Sequence, residues 1–318
     1  MTKHLTIKET GLYLLARDNF LILTHRRPDG DTLGSAASLC RALKSVGKTA
    51  FLLANPETTP RYAPFTDGLD APPDFSPACV VSVDTASEDL FPDNAQIYVN
   101  AVNLSIDHHP SNTGFADFSL LDAGRAACGE LVLDLISEFA EVDTNIATAL
   151  YVAVSTDTGC FSFDNTTADT FAVASKLASF GAPISELNRT LFRAKSRGRI
   201  AVEGLLFTNI EFHFNDHAAI VIISNAMSEQ TGADEDDMDN IAALPVSIEG
   251  VEVGITIREL KNSPECKVSV RSVEGISANG ICAYFGGGGH ARAAGFTSSE
   301  PADVIKERLL PILAELLS

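Results

Sequence analysis

Apolar and polar positions come in blocks along the first half of the chain. Short apolar runs ending in polar clusters occupy 20–25 (FLILTH), 49–54 (TAFLLA), 78–84 (ACVVSVD) and 103–109 (NLSIDHH). Between and after them, apolar residues recur at three- and four-residue spacing, which predicts helices over 32–46, 125–140, 144–155 and 167–180. Strands alternating with helices predict an α/β fold with a doubly wound, mostly parallel sheet. Such sheets bind ligands beyond the carboxyl ends of their strands.

The texture then changes. Residues 187–208 are charged, with few breakers, and read as a helical connector. Beyond it, EFHFNDHAAIVIIS (211–224) predicts a hairpin with an Asn-Asp turn, and SIEGVEVGITIREL (247–260) and CKVSVRSVEG (266–275) predict further strands. Residues 301–317 have the spacing of an amphipathic helix. The predicted organisation is a first domain over 1–186, a connector over 187–208 and a smaller α+β domain over 209–318. The acidic run DEDDMDNIAAL (234–244) reads as the first turn of a helix, where carboxylates suit the dipole, with no catalytic role.

Composition narrows the function classes. The chain has 318 residues, 45% of them hydrophobic, which suits a globular protein with real cores. Its formal charge of −19 argues against a protein that coats nucleic acid, though not against a small anion held by metals and a few arginines. No apolar run is long enough to span a membrane, and the opening residues lack a signal-peptide core. The six cysteines form no C-x-x-C pair, so reduced thiols in a cytoplasmic protein are expected. One segment runs against the acidic trend: LNRTLFRAKSRGR (187–199) reads as a solvated helix face or a phosphate-steering surface.

Candidate chemistry gathers at the ends of the predicted strands. THRRPDGDTLGS (24–35) holds His25, Asp29 and Asp31; VVSVD ends in Asp84; LSIDHHPSN carries Asp107, His108 and His109. YVAVSTDTGCF (151–161) adds Asp157 where an apolar helical run meets a Thr-Gly break. Two carboxylates about 4 Å apart repel by roughly 4 kcal/mol at an effective dielectric of about 20. Several facing one cleft would burden a marginally stable fold unless cations neutralise them. Imidazole and carboxylate donors without thiolate favour Mn²⁺, Mg²⁺, Co²⁺ or Fe²⁺ over a structural zinc. Six ligands drawn from these groups are too many for one ion with an open position and suit two, and such a pair suits hydrolysis of a phosphate ester. On an extended segment His108 and His109 would point to opposite sides. One would then ligate while the other meets the substrate, with Asp107 fixing a ring tautomer.

The second domain has its own motif, YFGGGGHARAAGF (284–296). The run Gly286, Gly287, Gly288 and Gly289 lets backbone N–H groups approach an anion. With His290, Arg292 and the preceding Arg271, it is a candidate grip for substrate phosphate, and Arg258 is a further candidate.

Taken together, HRRPDGDTLGS, SVD, IDHHPSN and STDTGCF, followed by FGGGGHARAAG, resemble the DHH phosphoesterase family. The resemblance covers nearly the whole chain, and the length is most similar to the bifunctional nanoRNase and 3′-phosphoadenosine-5′-phosphate phosphatase branch, including chains called exopolyphosphatase-related. It implies two Mn²⁺ ions, with Mg²⁺ or Co²⁺ in substitution. His25, Asp29, Asp84 and Asp157 would hold one ion, and Asp31, Asp84, His108 and Asp157 the other. It further implies that His109 assists at the phosphate, and that Arg271, the glycine run and His290 hold the far end of the substrate across a cleft between the domains. Thr32 stands where many relatives carry alanine. The implied substrates are short single-stranded RNA and the adenosine bisphosphate; the alternatives are a cyclic- or linear-dinucleotide phosphodiesterase or a non-catalytic nucleotide-binding module. No membrane partner is expected, and a homodimer is left open.

Overall fold

The computed structural model describes residues 2–233, 236–238, 241–261 and 263–317. The chain divides into two compact units, 1–194 and 195–318, with the boundary inside the segment read as a connector.

The first unit is built on six strands: β1 (Lys3–His4), β2 (Phe20–Leu23), β3 (Ala50–Leu52), β4 (Cys79–Val83), β5 (Val102–Asp107) and β6 (Phe118–Leu121). They lie in the order β1-β6-β5-β4-β2-β3, and every pairing is parallel. Strand β2 shows why its sequence is an unbroken apolar run. Phe20 and Ile22 enter one core, while Leu21 and Leu23 enter another on the opposite face. The chain passes from β2 to β3 on one side and then returns to β4 on the other. That reversal opens a crevice at the carboxyl ends of β2 and β4.

Among the described residues of this unit the α-helices are α1 (Ile7–Leu15), α2 (Gly30–Ser45), α3 (Ala63–Thr66), α4 (Cys128–Ser137), α5 (Thr144–Asp157), α6 (Ala168–Ser179) and α7 (Ile184–Asn188). Sequence patterning missed β1, β6 and α1, although α1 carries a Thr6–Glu9 capping box. Gly30 and Gly34 of α2 let α5 come close. A Cβ at Gly30 would lie 2.3 Å from Thr156 Oγ1, and one at Gly34 would lie 2.3 Å from the Ala149 carbonyl oxygen. This approach brings the start of α2 beside the end of α5.

The second unit opens with α8 (Arg197–Asn209) and has a mixed sheet. Its strands are β7 (Glu211–His213), β8 (Ala218–Ile223), β9 (Val253–Glu259), β10 (Cys266–Ser272), β11 (Gly288–His290) and β12 (Ala293–Ser298). The order is β11-β12-β10-β9-β8-β7, antiparallel except for β8 with β9. Helix α9 (Asn225–Thr231) follows β8; α10 (Ala278–Ala283) and α11 (Ala302–Leu316) pack Ile281, Ile305, Leu309 and Leu313 against Val253, Ile255, Val268 and Val270. Part of the acidic run at 234–244 lies outside the described residues; within the rest, short 3₁₀ turns occupy Asp236–Met238 and Ile241–Ala243 instead of an α-helix. Lys195 and Arg199 both bond Glu203, each at 2.5 Å, so these two cations of the basic segment tie down α8.

Candidate metal centre

All six ligands expected from the sequence meet at the carboxyl edge of the parallel sheet. His25 lies two residues beyond β2, Asp84 follows β4 directly, and His108 follows β5. Asp29 caps α2, accepting the N–H groups of Asp31 and Thr32 at 3.0 and 3.1 Å. Asp157 is the last residue of α5. The donor atoms fall into three overlapping groups, each within 4.8 Å: His25, Asp29 and Asp84; Asp31, His108 and Asp157; and Asp84, His108 and His109.

Asp84 is the hinge of this arrangement. It turns out of β4 with φ +54°, a conformation aspartate tolerates better than most residues. Its Oδ2 lies 3.8 Å from His25 Nε2, and its Oδ1 lies 3.5 Å from His108 Nε2. The side chain is 3% exposed, and Oδ1 has no hydrogen-bond partner. Burial, then the charges of Asp31, Asp29, Asp107 and Asp157, push its pKa well above the ordinary carboxylate value. An orphan buried oxygen facing imidazole nitrogens fits a divalent cation, which would supply the missing partner. The donor chemistry of the surrounding residues fits it as well.

The histidines are pre-set for that role. His25 Nδ1–H donates to the Arg26 carbonyl at 2.8 Å, and His108 Nδ1–H donates to the Arg125 carbonyl at 3.0 Å. Each bond leaves Nε2 facing the carboxylates. Asp31 is held by the start of α4, accepting from the Cys128 and Gly129 N–H groups at 2.6 and 2.9 Å and from Ser35 Oγ at 3.0 Å. These supporting residues escape sequence reading, because the contacts with α4 close over about a hundred positions. Asp157 sits 3.7 Å from His108 Nε2, and burial with the neighbouring Asp31 raises its pKa to about 7. It groups with Asp31 and His108; none of the three groups joins it to His25 and Asp29.

One expectation needs correction. His108 and His109 do not point to opposite sides, for His109 Nδ1 lies 3.6 Å from the Asp84 Oδ1 that His108 also approaches. The strand ends at Asp107, so its two-residue alternation stops there. Asp107 Oδ1 instead accepts the N–H groups of His108 and His109 at 2.9 and 3.3 Å, folding both back in a turn. The same oxygen accepts His109 Nδ1–H at 2.8 Å, while Oδ2 accepts Asn112 Nδ2–H at 2.6 Å. Burial opposes the Asp107 charge, but these bonds outweigh it and hold its pKa low. Asp107 in turn raises the pKa of His109. Asn112 lies within the LSIDHHPSN motif, where its spacing alone assigns it no role.

In the second unit, strand register places Arg271 and His290 in one row, both paired with Ala293 of the strand between them. Arg292 lies in the two-residue turn joining β11 to β12. The glycine run differs from an open amide cradle. The Gly286 and Gly287 N–H groups donate to the carbonyls of Ala283 and Cys282 at 3.1 and 3.0 Å, ending α10. A Cβ on Gly287 would meet the Gly295 oxygen at 2.4 Å and Phe296 Cβ at 2.5 Å, whereas one on Gly288 would meet nothing nearer than Asn279 Oδ1 at 3.7 Å. Gly286 and Gly287 are therefore architectural, and Gly288, Gly289 and His290 form an exposed edge strand.

Comparison with known proteins adds the lineage of this arrangement. Residues 19–154 match the DHH family, N-terminal domain, and residues 216–316 match the DHHA1 domain. The chain is 35% identical over 302 residues to a bifunctional oligoribonuclease and PAP phosphatase NrnA of Thermus thermophilus, covering 93% of this chain and 90% of that protein. A protein of the same name from Bacillus subtilis is 27% identical over 296 residues, covering 91% of each. Among solved structures, an exopolyphosphatase-related protein from Bacteroides fragilis shares the fold with a TM-score of 0.80 at 23% identity, over 98% of this chain and 95% of that one.

Proposed function

This chain belongs to the DHH family and is a phosphoesterase, and from that premise we propose that it hydrolyses short RNA oligonucleotides and 3′-phosphoadenosine 5′-phosphate with the help of two Mn²⁺ ions. The observation that carries the proposal is Asp84, whose two buried oxygens face His25 on one side and His108 on the other. His25, Asp29 and Asp84 would hold one ion; Asp31, His108 and Asp157, with Asp84 again, would hold the other. When bound, such a pair lowers the pKa of water and draws charge from phosphoryl oxygens.

The remaining roles fall to the chain. His109 gives its Nδ1 proton to the Asp107 bond, so Nε2 is the atom left for the substrate. Asp107 favours the protonated ring, which suits delivery of a proton to the departing oxygen. Arg271 and His290 would bind phosphate elsewhere on the same substrate. The names of the relatives support both substrates, and 35% identity over nearly full length supports their transfer to this chain. Six unpaired cysteines support a reducing, cytoplasmic setting, and no helix among the described residues is long and apolar enough to cross a membrane.

The test is hydrolysis with and without Mn²⁺ of a panel holding dinucleotides, five-mers, long RNA, cyclic dinucleotides, the adenosine bisphosphate and pyrophosphate. Turnover of five-mers and the bisphosphate is expected. Turnover confined to cyclic dinucleotides or pyrophosphate would overturn the reading.

A further inference from the structure

The second unit contains a cavity of about 180 Å³ that the metal centre does not explain. Thr256 and Arg258 of β9 and Lys267, Ser269 and Arg271 of β10 line one side; Met238 and Ile241 line the other. Strand alternation selects these residues. Val253, Ile255 and Ile257 of β9 and Val268 and Val270 of β10 turn into the core, so the residues between them face the opposite way. Register then stacks them in rows, with Thr256 beside Ser269 and Arg258 beside Lys267.

Two independent features mark the cavity as a binding site. The first is charge. The chain has 42 acidic residues against 23 basic ones, yet two cations lining this cavity, Lys267 and Arg271, form no ion pair among the described residues. The second is Thr256, which is 2% exposed and whose Oγ1 has no hydrogen-bond partner. A buried hydroxyl left unpaired destabilises the fold, and a ligand oxygen would supply the partner. A phosphate, with four oxygens and up to two charges, can use several converging cations and hydroxyls together; a single carboxylate would leave most of them idle.

We propose that this cavity is a phosphate subsite, one strand repeat along the sheet from the Arg271–His290 row. Thr256 and Ser269 hydroxyls donate to the phosphate oxygens, Lys267 and Arg271 balance its charge, and Met238 and Ile241 pack against the attached sugar. Two residues along an antiparallel strand advance about 6.8 Å, comparable to the step between neighbouring phosphates of an extended oligonucleotide. The subsite rests on the function proposed above and gives the second unit two phosphate contacts in sequence.

The experiment is a titration of the full chain, stripped of metal by chelation, with inorganic phosphate at constant ionic strength, followed by calorimetry and melting temperature. Wild-type protein should bind saturably and gain stability. Thr256→Val keeps the side-chain volume and removes the unpaired hydroxyl. Without phosphate it should be at least as stable as wild type, while its Kd rises about tenfold, the effect of one lost hydrogen bond to a charged group. Lys267→Met, at an exposed position that leaves the core untouched, should raise Kd by about as much. Lys8→Met, which removes an exposed cation on α1 of the first unit, should retain phosphate binding. No saturable binding, an unchanged Kd in Thr256→Val and Lys267→Met, or a Thr256→Val chain less stable than wild type without phosphate would each overturn the subsite. The titration involves neither metal nor turnover, so its failure leaves the metal centre standing, and a failed substrate panel leaves its result intact.

Discussion

The two sheets of this protein gather opposite charges by different geometric means. In the first, parallel strands deliver His25, Asp84 and His108 to one edge, because parallel strands all end on the same side. Helix termini add Asp29, Asp31 and Asp157. In the second, antiparallel pairing arranges Arg271, His290, Arg258 and Lys267 in rows across a face. An edge can converge many side chains on one point, which suits small ions. A face spreads them at regular intervals, which suits a chain of phosphates. The acidic centre concentrates like charges, and burial with those charges raises the pKa of Asp31, Asp84 and Asp157, whereas the cationic face distributes its charges over separate rows.

The sharpest way to break this contrast is at Asp84. Asp84→Asn should abolish measurable turnover on every substrate, small aryl phosphate esters included, and should remove the melting-temperature shift produced by Mn²⁺. It should also raise the melting temperature of the metal-free protein, since folding no longer requires that carboxylate to be buried against its neighbours or to take up a proton. Near-normal activity would remove Asp84 from the centre. Next in size is the His109 pair. His109→Ala should lower kcat by about 10²- to 10⁴-fold, and Asp107→Asn by about ten- to a hundredfold with Mn²⁺ content retained. Loss of metal in Asp107→Asn would make Asp107 a ligand instead of a positioning residue.

The cationic face should behave differently. Arg271→Ala and His290→Ala should each cost about ten- to a hundredfold in kcat/KM on oligonucleotides, with a much smaller effect on an aryl phosphate held at the metals alone. Equal losses on both substrates would erase the distinction between the regions.

A smaller, pH-dependent effect separates them further. Asp157 titrates near pH 7 in the metal-free fold, against an ordinary value of 3.8, because burial and Asp31 oppose its charge. Between those values the folded chain holds a proton that the unfolded chain has released. Metal-free stability should therefore fall as pH rises through that interval, by about 5 °C in melting temperature. If Asp157 holds Mn²⁺, the ion would displace that proton, and the stabilisation given by added Mn²⁺ should grow over the same range. A metal-free melting temperature that rises from pH 5 to 7 would contradict the raised pKa.

The smallest expected effect distinguishes two adjacent glycines. Gly288→Ala should change stability by no more than about 0.5 kcal/mol. Gly287→Val should destabilise the protein and depress all activities together, because its Cβ would strike Gly295 and Phe296. Equal tolerance at both positions would dismiss the packing argument.

Much of the first unit is legible in its amino-acid order. The short strands with both faces apolar and the helices between them announce a parallel sheet, and the polar residues at strand ends announce its ligand edge. Less of the second unit can be read that way, because a glycine run followed by histidine is compatible with an anion loop, a helix cap or an edge strand. The fold makes Gly286 and Gly287 the cap of α10 and Gly288 to His290 the strand.

By itself, the sequence determined what local order dictates: the apolar strands β2 to β5, the carboxylates and imidazoles that stand beyond their ends, and the expectation that so many acids together call for cations. Only the tertiary structure decided how those groups face one another. The turn at Asp107 folds His108 and His109 toward the same oxygen, the start of α4 holds Asp31, and Asp84 is left with an unpartnered oxygen between two histidines. It also revealed the unpaired hydroxyl of Thr256 in a cavity shared with Lys267 and Arg271. Hydrophobic periodicity is a property of neighbours along the chain. Ligand geometry and the pairing of buried polar atoms depend on residues tens to a hundred positions apart, and only packing brings those together.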